Sequence, residues 1–298
     1  MPELPEVETT KTSLAVLLNQ QVASVAISQP KLRYAIPSDL STLVGFRLTD
    51  VSRRAKYLLL TFFNAQDNRK KVLLIHLGMS GSLQNRPAKD GAPMPIKHDH
   101  VVITFADDDG NITPLHYHDP RRFGMILWAF NDDFIDNTDL AYDRFLAHLG
   151  PEPLSCNFNA DYLYQYITHS RQRPIAKPIK AVIMDQSCVV GVGNIYATES
   201  LFLSRIHPQT PAHLLSFDEI ATLVEHIKAI LQKAIIQGGT TLKDFSTGNG
   251  KTGYFQQVLL AYGRQNLPCT VCGTPLESVK ITGRASVYCP HCQKKPSN

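Results

Sequence analysis

The chain begins Met1-Pro2-Glu3-Leu4-Pro5-Glu6-Val7-Glu8, where a proline, three carboxylates and a helix start lie side by side. Methionine is usually trimmed before a small residue, so the mature chain is expected to begin at Pro2. A terminal α-amino group titrates near ~8, about two units below lysine, so near neutral pH much more of it is unprotonated and able to attack carbon. Pro5 suits the first position of a helix, where its missing N–H costs nothing.

This opening stretch has two interpretations. Val7, Leu14, Leu17 and Leu18 recur at helical spacing and predict an amphipathic first helix. The positive end of that helix disfavours the ammonium form of an amine placed there, whereas the neighbouring carboxylates favour it. A plain N-terminal helix with acidic residues in its first turn fits equally well, so this stretch alone does not establish a catalytic amine.

Composition bounds the class of protein. The 298 residues are 43% hydrophobic, enough for two domains with a core each. No run of eighteen apolar residues is present and the acidic start lacks a signal-peptide segment, so we expect an intracellular protein with reduced thiols. Residues 1–150 carry 16 Lys/Arg and 17 Asp/Glu, and residues 151–298 carry 14 and 9. This modest basic excess fits a polyanionic partner without establishing one.

Short strand-like runs bounded by Gly, Pro, Asn and Asp follow the first helix and predict an antiparallel sandwich or barrel. The predicted strands are Val22–Ser28, Phe46–Ser52, Tyr57–Phe63, Val72–His76, His100–Phe105 and Met125–Phe130. Residues 64–71 and 87–97 are predicted as exposed loops. From Asp139 the pattern is helical, with one long amphipathic helix around Ile220–Ile235 that the glycines at 238 and 239 end. We place the domain boundary between residues 131 and 153.

Four cysteines give the strongest local signal. Cys269 and Cys272 form one CxxC pair, and Cys289 and Cys292 form a second one, with sixteen residues between the two pairs. This spacing is typical of four thiolates around a tetrahedral, structural zinc ion. Disulfides are the alternative, which the expected intracellular setting disfavours. A hairpin between the pairs, with its tip at residues 282–283, would present Arg284.

The other two cysteines, Cys156 and Cys188, have no CxxC neighbour, and we predict both as buried apolar side chains.

Three turns carry further candidate residues. Gly191–Tyr196 lacks the third glycine of a dinucleotide loop but would form a phosphate site at a helix N-terminus capped by Asn194. An ordinary connection between helices explains that stretch as well. Residues 118–124 and 76–81 are tight turns with an apolar tip each; both could be simple surface turns, or they could wedge into a base stack.

Taken together, these residues resemble the formamidopyrimidine-DNA glycosylase family of bacterial base-excision enzymes. Matching motifs occur in the family's order: Pro2-Glu3-Leu-Pro-Glu6, Arg-Arg-Ala-Lys56-Tyr, His-Leu-Gly-Met79-Ser-Gly, Lys-His98-Asp-His, Asp-Pro-Arg121-Arg122-Phe123-Gly, Val-Gly-Val-Gly-Asn194-Ile-Tyr-Ala, Gly-Gly-Thr-Thr-Leu-Lys243-Asp-Phe and the four cysteines. The match runs from residue 2 to residue 292.

The resemblance implies an α+β fold of two lobes. An N-terminal β-sandwich with a leading helix would be the catalytic lobe (1–135), followed by a helix-two-turn-helix DNA-binding bundle (150–268) and a four-cysteine zinc β-hairpin (269–298). DNA would lie between the lobes. The resemblance further implies one structural zinc ion and a monomer in the bacterial cytoplasm, with no membrane partner. The partner would be double-stranded chromosomal DNA containing 8-oxoguanine, formamidopyrimidines or abasic sites.

The resemblance also implies the chemistry of each site residue. The Pro2 nitrogen would attack the sugar C1′, and the iminium formed as the base leaves would acidify the C2′ proton, so that β,δ-elimination follows. Glu3 would be the general acid and base, Glu6 would be essential to the pocket, Lys56 would donate a proton in β-elimination, and Arg284 would serve δ-elimination.

The DNA contacts implied by the motif matches divide into two groups. In the first group, His98, Lys180 and Asn194 match phosphate or DNA contacts, and Lys243 with residues 246–255 matches the segment that closes over the flipped base. Met79, Arg121 and Phe123 match the side chains that fill the gap left by the extruded base. Three segments depart from the family pattern: the loop 64–71 is longer, the loop 87–97 is variable, and residues 171–177 align poorly. Because of this poor alignment, no role is carried over to Arg171 or Arg173.

Two other functions compete with this interpretation. The sister enzyme endonuclease VIII uses the same proline chemistry on oxidised pyrimidines, but that group lacks the Arg-Arg-Phe turn found here at residues 121–123. A non-catalytic zinc and helix–turn–helix DNA-binding protein would explain the cysteines and Asn194, but gives no reason for a Pro-Glu terminus. We therefore predict an enzyme of the purine branch.

Overall fold

The first helix begins where the opening motif predicts one. In the computed structural model, which describes residues 1–86, 88, 92–129, 144–169, 173–238 and 259–295, helix α1 spans Leu4–Ser13 and a 3₁₀ helix continues over Leu14–Leu17. Glu3 is the N-cap, so Pro5 is the second helical residue, one position later than predicted. The N–H groups there have no intrahelical acceptor, so the proline is tolerated. Leu18, predicted for the apolar stripe, is 37% exposed.

Eight antiparallel strands follow α1. They are β1 (Gln21–Ile27), β2 (Arg47–Arg54), β3 (Tyr57–Asn64), β4 (Arg69–His76), β5 (Ser82–Asn85), β6 (Asp99–Ala106), β7 (Ile112–His118) and β8 (Met125–Trp128). Their order in the sheet is β5-β7-β6-β1-β2-β3-β4-β8. β1 and β2 share a single residue pair, Gln21 with Arg47, which separates two four-stranded halves. Apolar residues of both halves and of the first helix form one core, as expected for a sandwich.

Two strands and one turn differ from the prediction. β5 and β7 were not predicted, because β5 is short and polar and β7 contains Pro114, which argues against a strand. In the structure β5 ends at Asn85 opposite Leu115, so no β5 residue faces that proline. The predicted loop 64–71 is wrong in extent: Asn64 pairs with Arg69, and the connection is residues 65–68.

Helices dominate the rest of the chain. Within the described residues they are α2 (Ala160–His169), α3 (Ile179–Ile183), α4 (Asn194–Leu203) and α5 (Phe217–Ile236), with a short 3₁₀ helix at Ala212–Leu214. Another 3₁₀ helix, Leu40–Leu43, lies between β1 and β2. The long helix α5 begins at a capping box of Ser216 and Glu219. It ends just before Gly238, whose φ is +80°, so the predicted glycine stop is confirmed. Strands β9 (Glu277–Ile281) and β10 (Arg284–Tyr288) form the predicted hairpin.

The chain forms two compact units. The first comprises Met1–His148, and the second comprises Leu149–Gln237 together with the described residues from 259 onward. The hairpin shares a small apolar core with helix α4 through Phe202, Leu276 and Val287. Among the described residues, no helix has the length and apolar character needed to cross a bilayer.

Candidate functional site

The opening motif folds into a capped and buried helix start. The Glu3 N–H donates to Glu6 Oε2 at 2.8 Å, and the Glu3 side chain accepts from the Glu6 backbone, which completes a capping box. Glu3 is 3% exposed and Glu6 is fully buried. Pro2 is also buried. The residue that would supply the amine is therefore held at a fixed position before the helix N-terminus, away from bulk water.

An ion pair ties α1 to the turn that carries Lys56. Arg53 Nε lies 2.5 Å from Glu8 Oε2, and Arg53 Nη1 donates to the Ala55 carbonyl at 2.8 Å. Ala55 has φ +55°, which turns the chain so that Lys56 follows as a buried side chain. Burial raises the pKa of Glu8, but hydrogen bonds from Lys11 and Arg53 outweigh it and lower the pKa overall. The sequence alone did not single out Arg53 or Glu8.

His76 lies at the end of β4, next to this turn. Burial first, and then the charges of Lys56 and Arg33, lower its pKa to about 4. The Gly78 N–H donates to His76 Nδ1 at 3.0 Å, so the neutral ring carries its proton on Nε2. The neutral imidazole therefore accepts the Gly78 N–H at the beginning of the turn that carries Met79.

The two turns with apolar tips meet in the structure. Met79 is 40% exposed and Phe123 is 47% exposed, each at the tip of its turn. The Arg121 guanidinium lies over the Phe123 ring, 5.0 Å from its centroid. A Cβ on Gly78 would lie 2.4 Å from the Gly124 nitrogen, so a glycine is required at this crossing. The three residues predicted to replace an extruded base thus belong to one surface.

His98 lies just before β6, beside that surface. Its backbone has φ +74°, and its carbonyl accepts from the Asp119 N–H at 3.0 Å. The His98 and His118 rings pack edge to face with centroids 6.0 Å apart. Partial desolvation, and then the charge of Lys97 and of the nearby histidines, lower the pKa of His98.

The buried carboxylate of Asp99 holds His118, the ring partner of His98, together with His116. Asp99 accepts from His116 Nδ1 at 3.1 Å and from His118 Nδ1 at 3.0 Å, and it pairs with Arg86. Burial raises the pKa of Asp99, but hydrogen bonds from His116, the Ile96 N–H and Arg86 outweigh it and hold the pKa well below its usual range.

In the second unit, the predicted role of Asn194 in capping is corrected. The N-cap of α4 is Gly193, and Asn194 is the first helical residue. Its Nδ2 donates to the Ala285 carbonyl at 3.2 Å. Because the N-cap residue is a glycine, it has no side chain to accept a hydrogen bond from the first turn of α4. The Asn194 side chain instead connects the start of the helix to strand β10.

Lys180 has a different environment from the one predicted. The residue is 1% exposed, and its ammonium donates to Thr198 Oγ1 at 2.9 Å, Ser286 Oγ at 2.8 Å and the Ala285 carbonyl at 3.3 Å. An ammonium enclosed by protein acceptors is not placed to bind a phosphate directly. We therefore correct its predicted DNA contact to a supporting position beneath β10, next to Arg284.

The hairpin tip has the predicted geometry. Thr282 and Gly283 have φ of +45° and +78°, as in the two-residue turns that join antiparallel strands. Arg284 follows them and is exposed. Lys243 lies outside the described residues.

The four predicted zinc ligands are brought together. The Sγ atoms of Cys269, Cys272, Cys289 and Cys292 all lie within 4.8 Å of one another. A zinc ion with Zn–S bonds of ~2.3 Å in a tetrahedron would separate sulfurs by about 3.8 Å, so the cluster fits the ion. The Cys292 N–H points at Cys289 Sγ, at 3.4 Å.

The cluster binds one structural zinc ion, and all four cysteines are free of disulfides. Of the other two cysteines, Cys188 is buried as predicted, but Cys156 is exposed, so the prediction for Cys156 is wrong.

Family profiles match most of the chain. Residues 1–126 match the family described as "Formamidopyrimidine-DNA glycosylase N-terminal domain", and residues 149–246 match "Formamidopyrimidine-DNA glycosylase H2TH domain". Residues 266–295 match "Zinc finger found in FPG and IleRS". The formamidopyrimidine-DNA glycosylase of Psychrobacter arcticus is 53% identical over 316 residues, covering 98% of each chain, and that of Acinetobacter baylyi is 53% identical over 293 residues with the same coverage.

Solved structures agree with these matches. The crystal structure of the MutM (Fpg) protein from Thermus thermophilus has a TM-score of 0.79 with 34% identity, and covers 99% of this chain and all of that one. A Lactococcus lactis Fpg mutant in complex with Fapy-dG containing DNA has a TM-score of 0.81 with 33% identity and the same coverage. Lactococcus lactis Fpg with abasic-site DNA has a TM-score of 0.80 with 32% identity, covering 98% of this chain and all of that one.

Proposed function

Since the chain belongs to the formamidopyrimidine-DNA glycosylase family, and is thus a DNA glycosylase and abasic-site lyase of base-excision repair, we propose that its substrates are oxidised purines and that its nucleophile is Pro2. It removes 8-oxoguanine and formamidopyrimidines from duplex DNA and then cuts the strand by β,δ-elimination. The Lactococcus lactis relatives bound to Fapy-dG and abasic-site DNA support this substrate class. The enzyme acts as a monomer in the cytoplasm.

The arrangement of the opening motif is the observation that carries this proposal. Once Met1 is removed, Pro2 presents a secondary amine directly before the N-cap residue Glu3. The positive end of α1 disfavours its protonation, which leaves a lone pair for attack on C1′ of the damaged nucleotide. Because Glu6 already accepts the Glu3 N–H, its carboxylate fixes the backbone that carries the amine.

The steps follow from the covalent link. The nitrogen bonds to C1′ as the C1′–base bond breaks, and it then loses its proton. The C1′–O4′ bond breaks next, with O4′ taking a proton, and the nitrogen lone pair forms the C1′=N iminium. Glu3, a buried carboxyl group beside the amine, supplies and removes these protons at the sugar. The resulting iminium accepts the electron pair released when C2′ loses its proton, and the 3′-phosphate leaves. Lys56, buried on the turn that Arg53 and Glu8 attach to α1, donates a proton in this elimination. The exposed Arg284 serves the second elimination.

Binding of damaged DNA uses both units. In the first, Met79, Arg121 and Phe123 replace the extruded base, and His98 contacts the backbone. In the second, Asn194 contacts DNA near the N-terminus of α4, and the basic excess of residues 151–298 adds a salt-dependent attraction. Lys243 acts on the extruded base.

Borohydride trapping tests the nucleophile. A duplex with 8-oxoguanine should give a protein–DNA adduct that maps to the N-terminal peptide, because reduction of the iminium fixes the N–C1′ bond. A variant with residues appended ahead of Pro2 should stay folded and give no adduct, since its proline nitrogen is an amide. Pro5→Ala, which changes the helix but not the amine, should still be trapped. An adduct on a lysine of the wild type would overturn the proposal.

A further inference from the structure

Asp119 is a buried carboxylate with an unusual number of donors. It is 0% exposed. Its Oδ1 accepts from Ser80 Oγ at 2.7 Å and from the Arg121 N–H at 3.3 Å, and its Oδ2 accepts from the Gly124 N–H at 2.9 Å and from the Tyr117 hydroxyl at 3.4 Å. Burial and then the Asp119 charge raise the pKa of Tyr117 well above its usual value, so the phenol stays a donor.

The backbone of Asp119 is held as well. Its carbonyl accepts from the Arg122 N–H at 3.2 Å and lies 2.8 Å from His100 Nε2, and its N–H donates to the His98 carbonyl at 3.0 Å. The main chain of this residue is thus fixed against strand β6 and its preceding loop, while its side chain is fixed by the two turns and by Tyr117 of β7.

These contacts join two turns that are far apart in sequence. Ser80 follows Met79 directly, whereas Arg121 and Gly124 flank Phe123. Ser80 Oγ also accepts from the Arg121 N–H at 3.3 Å, so one hydroxyl and one carboxylate connect both turns. Hydrogen bonds to a buried anion are stronger than bonds between neutral groups. The tips that carry Met79 and Phe123 therefore depend on a common anchor.

We infer that Asp119 is a positioning residue that couples the Met79 turn to the Arg121–Phe123 turn and holds their side chains as one preformed wedge. This role rests on the proposed function of that wedge, but the coupling itself is a property of the free protein. A carboxylate is needed because an asparagine has one oxygen acceptor and would turn an N–H₂ group toward two of the four donors.

Hydrogen exchange of the DNA-free enzyme tests the coupling directly. In Asp119→Asn, amides of both segments, residues 77–82 and 119–125, should exchange about tenfold faster, because buried donors lose their acceptor and the turns open more often. Asp108→Asn makes the same chemical change at a carboxylate whose side chain is 82% exposed, and should leave both segments unchanged. Faster exchange in residues 119–125 alone would overturn the inference.

Ser80→Ala is the milder variant in case Asp119→Asn folds poorly. It removes one of the four donors to Asp119 and should accelerate exchange in the same two segments, by a smaller factor. An effect confined to residues 77–82 would show that the two turns are independent and would equally contradict the coupling.

Single-turnover excision of 8-oxoguanine opposite each base gives the functional readout, at fixed salt because phosphate contacts dominate affinity. Arg121→Ala should reduce the preference for lesions opposite cytosine over adenine, since its fork of donors suits an orphaned cytosine. Phe123→Ala should slow excision opposite every base alike.

Asp119→Asn should lower the cytosine preference too. In the Asp119→Asn background, Arg121→Ala should change this preference less than it does in the wild type, since both substitutions disturb the same wedge. Independent effects of the two substitutions would contradict the inference, because a general loss of stability does not alter a ratio of rates. If Arg121→Ala keeps the full preference in the wild type, the proposed role of this arginine is wrong, and the exchange experiment still decides the role of Asp119.

Discussion

At the scale of single residues, a side chain's chemistry here is set by what surrounds it. His76 and His98 are the same residue type and both are half-buried, yet His76 accepts a backbone N–H from Gly78 whereas the His98 ring packs against that of His118. Lys180 shows the same principle, because its ammonium is enclosed among hydroxyl and carbonyl groups. The residue type suggested a phosphate contact for Lys180, and its surroundings gave it a supporting position instead.

The lowered pKa of His76 predicts acid sensitivity of the first unit. The folded pKa is about 4 and the unfolded one about 6.5. Between these values the unfolded state binds more protons, so stability falls as pH falls through the window and is fully present above about 6.5. The loss should reach about 3 kcal/mol near pH 4, at 1.36 kcal/mol per unit. Below pH 5 carboxylates titrate too, so the contribution of His76 is measured from the change in the free energy of unfolding between pH 7 and pH 5.

Fluorescence of Trp128 measures this effect, because it is the single tryptophan of the chain and lies in the first unit. His76→Gln keeps an acceptor for Gly78 but cannot take a proton, so its urea midpoint should change less between pH 7 and 5 than that of the wild type. His148→Gln, at an exposed histidine of the same unit, should behave like the wild type. Equal slopes for all three proteins would refute the assignment.

At the scale of elements, an ion pair links α1 to strand β2. Its apolar side chains Leu4 and Val7 are fully buried, but burial alone does not set how the helix slides along the sheet. We expect the ion pair between Glu8 and Arg53 of β2 to set this position, with side chains 18% and 11% exposed. The register of α1 in turn sets the distance between Pro2 and the Lys56 turn.

We expect Arg53→Met to cost about 1–3 kcal/mol, because it leaves a half-buried carboxylate with one cationic partner fewer. Lys11→Met removes the other cation, which is 36% exposed at 2.8 Å, and should cost less than about 1 kcal/mol. Urea unfolding followed by Trp128 fluorescence gives both values. Excision should slow more in Arg53→Met than in Lys11→Met; equal effects would mean that the pair does not position α1.

At the scale of the whole molecule, the core of the first unit contrasts with the small apolar cluster beneath the hairpin of the second. The first has one large apolar core that joins α1 and both halves of the sheet. In the second, the small cluster beneath the hairpin includes two of the zinc ligands, Cys269 and Cys289, beside Phe202 and Val287. A cluster of this size needs the metal, because structural zinc supplies the folding energy of so small a unit.

Removal of one ligand should therefore affect one unit only. Cys272→Ser should lose zinc, disorder the hairpin that presents Arg284 and abolish DNA binding, while the Trp128 unfolding transition of the first unit stays unchanged. Cys156→Ser is the matched control, since Cys156 is exposed and outside the cluster, and it should keep zinc and activity. Metal analysis, DNA-binding titration and Trp128 fluorescence separate these results. Active protein without zinc would contradict the expectation.

The sequence alone determined those features that depend on neighbours along the chain. The spacing of Cys269, Cys272, Cys289 and Cys292 predicted the zinc cluster, because each CxxC pair brings two sulfurs close together through neighbours along the chain. Helical periodicity with a glycine stop predicted α5, and short strand-like runs bounded by Gly, Pro, Asn and Asp predicted six of the eight strands of the sheet. The motif order predicted the family and, with it, the candidate site, because each motif occupies a contiguous stretch.

Tertiary structure decided what depends on residues distant in sequence. The strand β7 contains a proline and two histidines, and only pairing with β5 and β6 makes it a strand. The ammonium of Lys180 is enclosed with the help of Ser286, more than a hundred residues away. Cys156 is exposed, although cysteine is a residue type that is usually buried. Asp119 joins turns forty residues apart through Ser80 and Gly124. Long-range contacts of this kind leave no periodic trace in sequence, because the energy of each pair depends on where the rest of the chain places its partner.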